Sequence, residues 1–364
     1  MPASIPLDQV AFPVPTLAAI RRLLMELPAT DAAAVEQVRA RECRLTKPPG
    51  ALGRLEALTE WLAGWQGRSP PRLDRVRACV FAGNHGVASA GVSAYPAEVT
   101  AQMVANFQAG GAAICQLCRT FDVELHVRAF DLDRPTGDIR CGPAMSEDEF
   151  VAAFAAGMQE AVGVDLLCLG EMGIGNTTAA AAVAHALFGG TAAAWTGPGT
   201  GVTGSSLAAK RAAVAAAVQC HAAAAVDGLD LLRRLGGREF VAIVGAVLGA
   251  RLRRIPVLLD GFVCTAAAAP LAAVRSGALD HCRVAHVSAE PGHRLLLRRL
   301  GMRPLFDLEM RLGEASGAVL AVGFVRAALA CHVGMATFAG AGVTDRSGEP
   351  PVCLPDEPGG QEDP

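Results

Sequence analysis

Apolar residues recur at three- and four-residue spacing from about residue 17 to residue 65, and the pattern breaks at Pro48-Pro49-Gly50. This predicts amphipathic helices with an interruption between them. From Val76 the rhythm changes: short apolar runs end in glycine loops, and helical segments follow. The runs at 77–82, 124–130, 165–169, 192–195, 257–259 and 283–287 are candidate strands. Strands that alternate with helices predict a parallel sheet covered on both faces, which makes the fold class α/β, a parallel sheet flanked by helices. Helical spacing returns over residues 317–341. The expected organisation is an α/β catalytic domain over residues 75–318 and a smaller helical domain built from 1–74 and 319–346. The polar, proline- and acid-rich residues 347–364 read as a disordered tail.

Composition narrows the picture. Hydrophobic residues make up 52% of the 364 and aromatic residues only 5%, so the core is built from Ala, Val and Leu in close packing. A net charge of -3 with scattered Lys and Arg argues against nucleic acid as a partner. The stretch 318–338 comes nearest to a membrane span, but Arg326 and His332 interrupt it, and it reads as a buried helix. No basic region followed by an apolar stretch marks the N-terminus, and most of the eleven cysteines sit in apolar runs. Both features suit a cytoplasmic protein with reduced thiols. Cys115 and Cys118 alone have redox or metal spacing, inside a predicted helix and with no second pair nearby, so no metal is assigned.

Candidate chemistry gathers in the glycine loops. The apolar run 164–169 breaks into Gly170-Glu171-Met172-Gly173-Ile174-Gly175-Asn176-Thr177-Thr178, and an alanine-rich stretch follows. A strand, a tight loop and a helix start offer free N–H groups and hydroxyls to a phosphate, or simply make a turn. Similar loops occur at Gly83-Asn84-His85-Gly86, Thr196-Gly197-Pro198-Gly199-Thr200-Gly201, Ser288-Ala289-Glu290-Pro291-Gly292-His293 and Gly313-Glu314-Ala315-Ser316-Gly317. Ligands of parallel α/β sheets bind beyond the carboxyl ends of the strands, where these loops are expected. The spacing fits neither a dinucleotide fingerprint nor a P-loop: Thr178 stands where the third glycine belongs, and Gly-Lys-Ser/Thr is absent.

Taken in order, these loops resemble one family. Leu45-Thr46-Lys47-Pro48-Pro49-Gly50-Ala51-Leu52-Gly53-Arg54-Leu55-Glu56, the Gly83 loop, Glu98-Val99-Thr100-Ala101-Gln102-Met103, the Gly173 loop, Pro256-Val257-Leu258-Leu259-Asp260-Gly261-Phe262, the Ser288 segment and the Glu314 segment are similar to those of nicotinate-nucleotide:dimethylbenzimidazole phosphoribosyltransferases. The resemblance runs from about Leu45 to Val343. It implies a Rossmann-like sheet, a homodimer, and transfer of phosphoribose from nicotinate mononucleotide to 5,6-dimethylbenzimidazole with inversion. The products are nicotinate and α-ribazole 5′-phosphate, used in assembling the cobalamin nucleotide loop. No metal or other cofactor is implied, because the pyridinium leaves already activated and no pyrophosphate departs. Val257-Leu258-Leu259 is followed by a single acid, Asp260, unlike the paired acids of phosphoribosyl-pyrophosphate enzymes.

The resemblance implies roles residue by residue. Glu314 is the base that takes the benzimidazole proton. Glu171 binds ribose hydroxyls, supports the base or is structural. Gly173, Gly175, Asn176 and Thr177 meet the phosphate through N–H and hydroxyl groups, with help from Gly199, Thr200 and Gly201. Lys210 supplies positive charge to it or is solvated. Ser288 and Gly292 contact nicotinate or ribose, while Ser93, Tyr95, Gln102 and Met103 form the benzimidazole pocket. His85 and His293 suit structural hydrogen bonds. Asn84, Ala51 and Gly340 depart from the acid, serine and acid common in the family. Transfer to another acceptor and a nucleotide-binding regulatory role are the rival readings.

Overall fold

Five parallel strands carry the larger unit of the computed structural model, which describes residues 16–344. They are β1 (Val76–Gly83), β2 (Glu124–Phe130), β3 (Leu166–Met172), β4 (Val257–Leu259) and β5 (Cys282–Val284), in the spatial order β2-β1-β3-β4-β5. The chain leaves β1 for β2 on one side and returns to β3 on the other. Between β1 and β3 the connections therefore part, which is the position at which ligands of such sheets bind. The Gly83 and Gly173 loops leave from there.

Helices fill the connections: α4 (Glu98–Gln108), α5 (Ala113–Thr120), α6 (Glu147–Gln159), α7 (Asn176–Phe188), α8 (Ala192–Trp195), α9 (Gly204–His221), α10 (Gly228–Leu235), α11 (Arg238–Leu252), α12 (Phe262–Val274) and α13 (Pro291–Leu300). α6 begins at a capping box in which Ser146 and Glu149 satisfy each other's backbone N–H groups. Small residues let these helices approach closely. A Cβ on Gly157 of α6 would lie 1.9 Å from the carbonyl oxygen of Ala242 in α11. Residues 179–184 of α7, five of them alanine, are fully buried.

The structure corrects several expected boundaries. Residues 192–195 form a helical turn, not a strand, because Thr191 caps the free N–H of Ala194 and alanine favours the helix. The third strand runs on to Met172, and the last ends at Val284, with only a single bridge between His286 and Phe306 beyond it. The first helix, α1 (Leu17–Met25), belongs to the sheet unit, which among the described residues comprises 16–28 and 75–321, and not to the helical one. Its Leu17, Ile20 and Leu24 enter the main core, and Arg21 pairs with Asp227 at 2.6 Å.

Among the described residues the second unit comprises 29–74 and 322–344. It contains α2 (Ala32–Glu42), α3 (Arg54–Gln66), the later part of α14 (Ser316–Gly334) and α15 (Phe338–Ala341). Ala34, Val38 and Ala63 form its small core. Buried Lys47 donates to Glu56 at 2.6 Å and pairs with Glu42 at 3.0 Å. Glu42 in turn meets Nδ1 of the fully buried His332 at 2.6 Å. α14 is long and apolar enough to cross a membrane by length and composition, but it carries this polar contact in its interior. The expected tail at 347–364 lies outside the described residues.

Candidate active site

Three carboxylates converge beyond the ends of β3 and β4. Glu171 is the penultimate residue of β3, Asp260 follows β4, and Glu314 stands just ahead of α14. All three are at least 94% buried. The main-chain N–H of Glu314 donates to the carbonyl oxygen of Glu171 at 3.1 Å, which ties the two segments together. Glycine at position 170 permits this approach, since a Cβ there would lie 1.9 Å from the nitrogen of Ala315. Glu314 and Ala315 adopt φ of 64° and 61°, in the left-handed region that side chains disfavour. Strain held by surrounding packing is a recurrent property of functional sites.

Burial without compensating cations sets the electrostatics. It pushes the Glu314 carboxyl up to about 7. Burial also raises Asp260 to about 7, against hydrogen bonds from N–H groups at the start of α14, and the charge of Glu314 adds to the rise. Glu171 is held well above the usual carboxylate range, first by burial and then by the charges of Asp260, Glu239 and Glu314. Three such groups cannot all ionise cheaply together, so a proton is readily held or accepted near neutral pH.

The Gly83 and Gly173 loops brace this cluster. Asn84 donates to the carbonyl oxygen of Leu132 at 3.0 Å and accepts from the Thr100 hydroxyl at 2.6 Å. That hydroxyl oxygen accepts from the N–H of Ile174 at 3.1 Å. An acid at position 84 would lack the donor that reaches Leu132, so the amide suits this chain's loop. His85 is buried and hydrogen-bonds through Nε2 to Glu239, itself fully buried at the start of α11. His293 is also structural: its Nδ1 accepts from the N–H of Ser288 at 2.8 Å.

The expected phosphate groups divide. Asn176 donates from its side chain to Glu171, and its main-chain N–H closes the turn on the carbonyl oxygen of Gly173 at 3.2 Å. That N–H is therefore used within the loop instead of facing outward. Gly173 and Gly175 are packing positions against the Gly83 carbonyl oxygen and the His85 side chain. Thr177 and Lys210 do come together, with Nζ donating to the hydroxyl at 2.7 Å. Lys210 is 1% exposed, and burial lowers its ammonium to about 8 against the pull of Glu290. It is not the solvated alternative. Gly199 adjoins both groups, and its N–H donates to Glu290 at 2.8 Å. Thr200 meets Ser93 at 3.3 Å and the N–H of Ala94 at 3.2 Å. Gly201 is exposed beside it.

The remaining expected residues lie as follows. Ser288 is buried, and its hydroxyl accepts from the N–H of Glu290 at 3.3 Å. Gly292 packs against the Trp195 carbonyl oxygen and the Phe262 ring. Ser93 and Met103 are half-buried, Gln102 is exposed, and Tyr95 is 54% exposed. Sequence reasoning passed over Asp260, Glu239 and Glu290 as site residues. Each carried a signal: an acid directly after an apolar strand, an acid opening an apolar helix, and an acid inside a glycine loop.

The phosphoribosyltransferase family model matches residues 27–343. The nicotinate-nucleotide–dimethylbenzimidazole phosphoribosyltransferase of Methylorubrum extorquens is 60% identical over 88% of this chain and 94% of its own. That of Mesorhizobium japonicum is 57% identical over 92% of this chain and 100% of its own. The crystal structure of CobT from Thermus thermophilus aligns with a TM-score of 0.80 at 43% identity, covering 86% of this chain and 99% of that one. A parallel sheet with buried carboxylates at its carboxyl edge, matched along nearly its whole length by such relatives, places this chain in the nicotinate-nucleotide–dimethylbenzimidazole phosphoribosyltransferase family.

Proposed function

We propose that this chain transfers phosphoribose from nicotinate mononucleotide to 5,6-dimethylbenzimidazole, giving α-ribazole 5′-phosphate and nicotinate, with inversion at the anomeric carbon. The single observation that carries the reading is Glu314, buried and with its carboxyl raised to about 7. A base tuned close to neutral pH suits removal of the imidazole proton. One benzimidazole nitrogen attacks C1′ while Glu314 takes the proton from the other. The C1′–N bond to the pyridinium breaks on the opposite face, and its electron pair returns to the nicotinate ring. Glu171 and Asp260 share this buried site with Glu314 and limit how many of the three carboxyls ionise at once, so a proton taken by Glu314 is held within the cluster.

Lys210 and Thr177 hold the phosphate, with Gly199, Thr200 and Gly201 around it. The Gly173, Gly175 and Asn176 loop acts by fixing Glu171 beside the ribose. Ser288 and Gly292 border the nicotinate side. Ser93, Tyr95, Gln102 and Met103 face the benzimidazole. The enzyme works as a cytoplasmic homodimer with no cofactor. The test incubates purified protein with nicotinate mononucleotide and dimethylbenzimidazole, follows nicotinate release by chromatography and assigns the product anomer by NMR. Release of nicotinate together with the α anomer is expected. Release without ribazole phosphate, or a β product, defeats the reading.

A further inference from the structure

A second cluster of polar side chains lies apart from the carboxylates, in the amino-terminal half of β1 and β2. Cys79 of β1 and His126 of β2 are register partners in neighbouring parallel strands and so point to the same face of the sheet. Glu160, the C-cap residue of α6, reaches that face. One donor atom from each residue lies within 4.8 Å of the others. Nδ1 of His126 is 2.7 Å from Oε2 of Glu160, and the Cys79 sulfur is 3.7 Å from the same oxygen. A thiol, an imidazole and a carboxylate on three elements make a donor set of intermediate softness.

The surroundings hold these donors in place. Arg128 donates to Oε1 of Glu160 at 2.6 Å, which leaves Oε2 turned toward Cys79 and His126. Nε2 of His126 is 3.1 Å from Glu124, so both ring nitrogens face carboxylate oxygens. With Nε2–H donated to Glu124, a bare Nδ1 would confront Oε2 lone pair to lone pair. A proton on Nδ1 closes that gap as an ordinary hydrogen bond, and a metal ion bound by both atoms would replace it. A carboxylate behind the distal nitrogen of a histidine is also the usual support of a metal-ligating imidazole. Cys79 and Glu160 are buried while the His126 side chain is 36% exposed, which leaves an approach from solvent on one side.

We propose that Cys79, His126 and Glu160 bind a divalent metal of borderline softness, such as Zn²⁺ or Co²⁺, with a water as fourth ligand. Binding replaces the thiol proton of Cys79 and the proton between His126 and Glu160, releasing both to solvent, and no redox change is involved. Two anionic ligands neutralise the ion, so the complex adds no net charge beneath α6. The ion clips β1, β2 and α6 together. It acts on stability and takes no part in phosphoribosyl transfer.

The test titrates Co²⁺ into chelator-stripped, full-length protein and records its visible and near-ultraviolet absorption. The expected result is one equivalent of Co²⁺ with tetrahedral ligand-field bands, a thiolate-to-Co²⁺ charge-transfer band, and displacement by Zn²⁺. Cys79→Ser should abolish the charge-transfer band, and His126→Gln should weaken affinity at least tenfold. Cys115 and Cys118 remain in both variants, so a charge-transfer band that survives Cys79→Ser overturns the assignment. A wild-type protein with no such band overturns it as well. Zn²⁺ should also raise Tm of the wild type and not of the two variants, and an equal rise in all three counts against the site.

Discussion

Replacing Glu314 by Gln separates the chemical role of this side chain from its cost to the fold. The carboxyl titrates at about 7 in the folded chain, against 4.5 for the unperturbed group. Between those two values the folded state keeps a proton that the unfolded state has lost, so stability falls as pH rises from the lower value to the upper one. The fall is complete about one pH unit above 7. The rise from 4.5 to about 7, at about 1.36 kcal/mol for each tenfold change in proton affinity, gives an upper bound of about 3 to 4 kcal/mol for the cost of ionised Glu314. Glutamine keeps the shape and carries no charge. The variant should therefore be more stable than the wild type at pH 8, by up to about 3 to 4 kcal/mol, and the gap should close as pH falls toward 4.5. It should lose roughly 10²- to 10⁴-fold in kcat, the usual range for a missing general base. Wild-type kcat/KM should rise with pH toward about 7, whereas the residual kcat/KM of the variant should lack that step. Urea denaturation at several pH values gives the stability difference, and nicotinate release gives the rate. A variant that turns over like the wild type, or a stability gap independent of pH, would refute the reasoning.

Three further outcomes are expected. Gly170→Ala places a Cβ 1.9 Å from the Ala315 main-chain nitrogen, so it should displace the Glu314 segment and cost about 4 kcal/mol or more, read by denaturation alongside kcat. Lys210→Met should raise KM for nicotinate mononucleotide by roughly tenfold to a hundredfold, the worth of one hydrogen bond to a charged group. Wild-type KM should itself rise as pH climbs through about 8, where the Lys210 ammonium loses its proton. Lys47→Met leaves Glu42 and Glu56 without their shared cation and should destabilise the chain by about 3 to 5 kcal/mol. Glu42 titrates below the usual carboxylate range: burial raises it, but His332 and Lys47 outweigh burial. Its stabilisation is therefore present above pH 4.5 and lost as pH falls through the folded value, which acid denaturation curves of wild type and variant will show.

Much of this protein is legible in its sequence. Apolar runs that stop at glycines and polar turns mark the starts of all five strands to within about one residue, because buried parallel strands need unbroken apolarity and their ends need turns. Glu314 and Lys210 were visible as charges in otherwise apolar or glycine-rich surroundings. Residues 192–195 misled because three alanines and a tryptophan fit a strand or a helix, and the choice fell to the threonine cap and to packing. α1 joined the sheet unit through side chains whose partners are far away in sequence.

What only the tertiary structure decided is which polar groups meet. Glu171, Asp260 and Glu314 are separated by tens of residues, and their shared burial near neutral titration arises because three loops end at one edge of the sheet. Asn176 looked like an anion donor, yet its groups turned inward to Glu171 and Gly173. Cys79, His126 and Glu160 share no local pattern and meet only through strand register and the end of a helix. Local periodicity writes the elements into the chain because it depends on neighbours three or four residues apart. Titration and ligation depend on distances between groups that folding alone brings together.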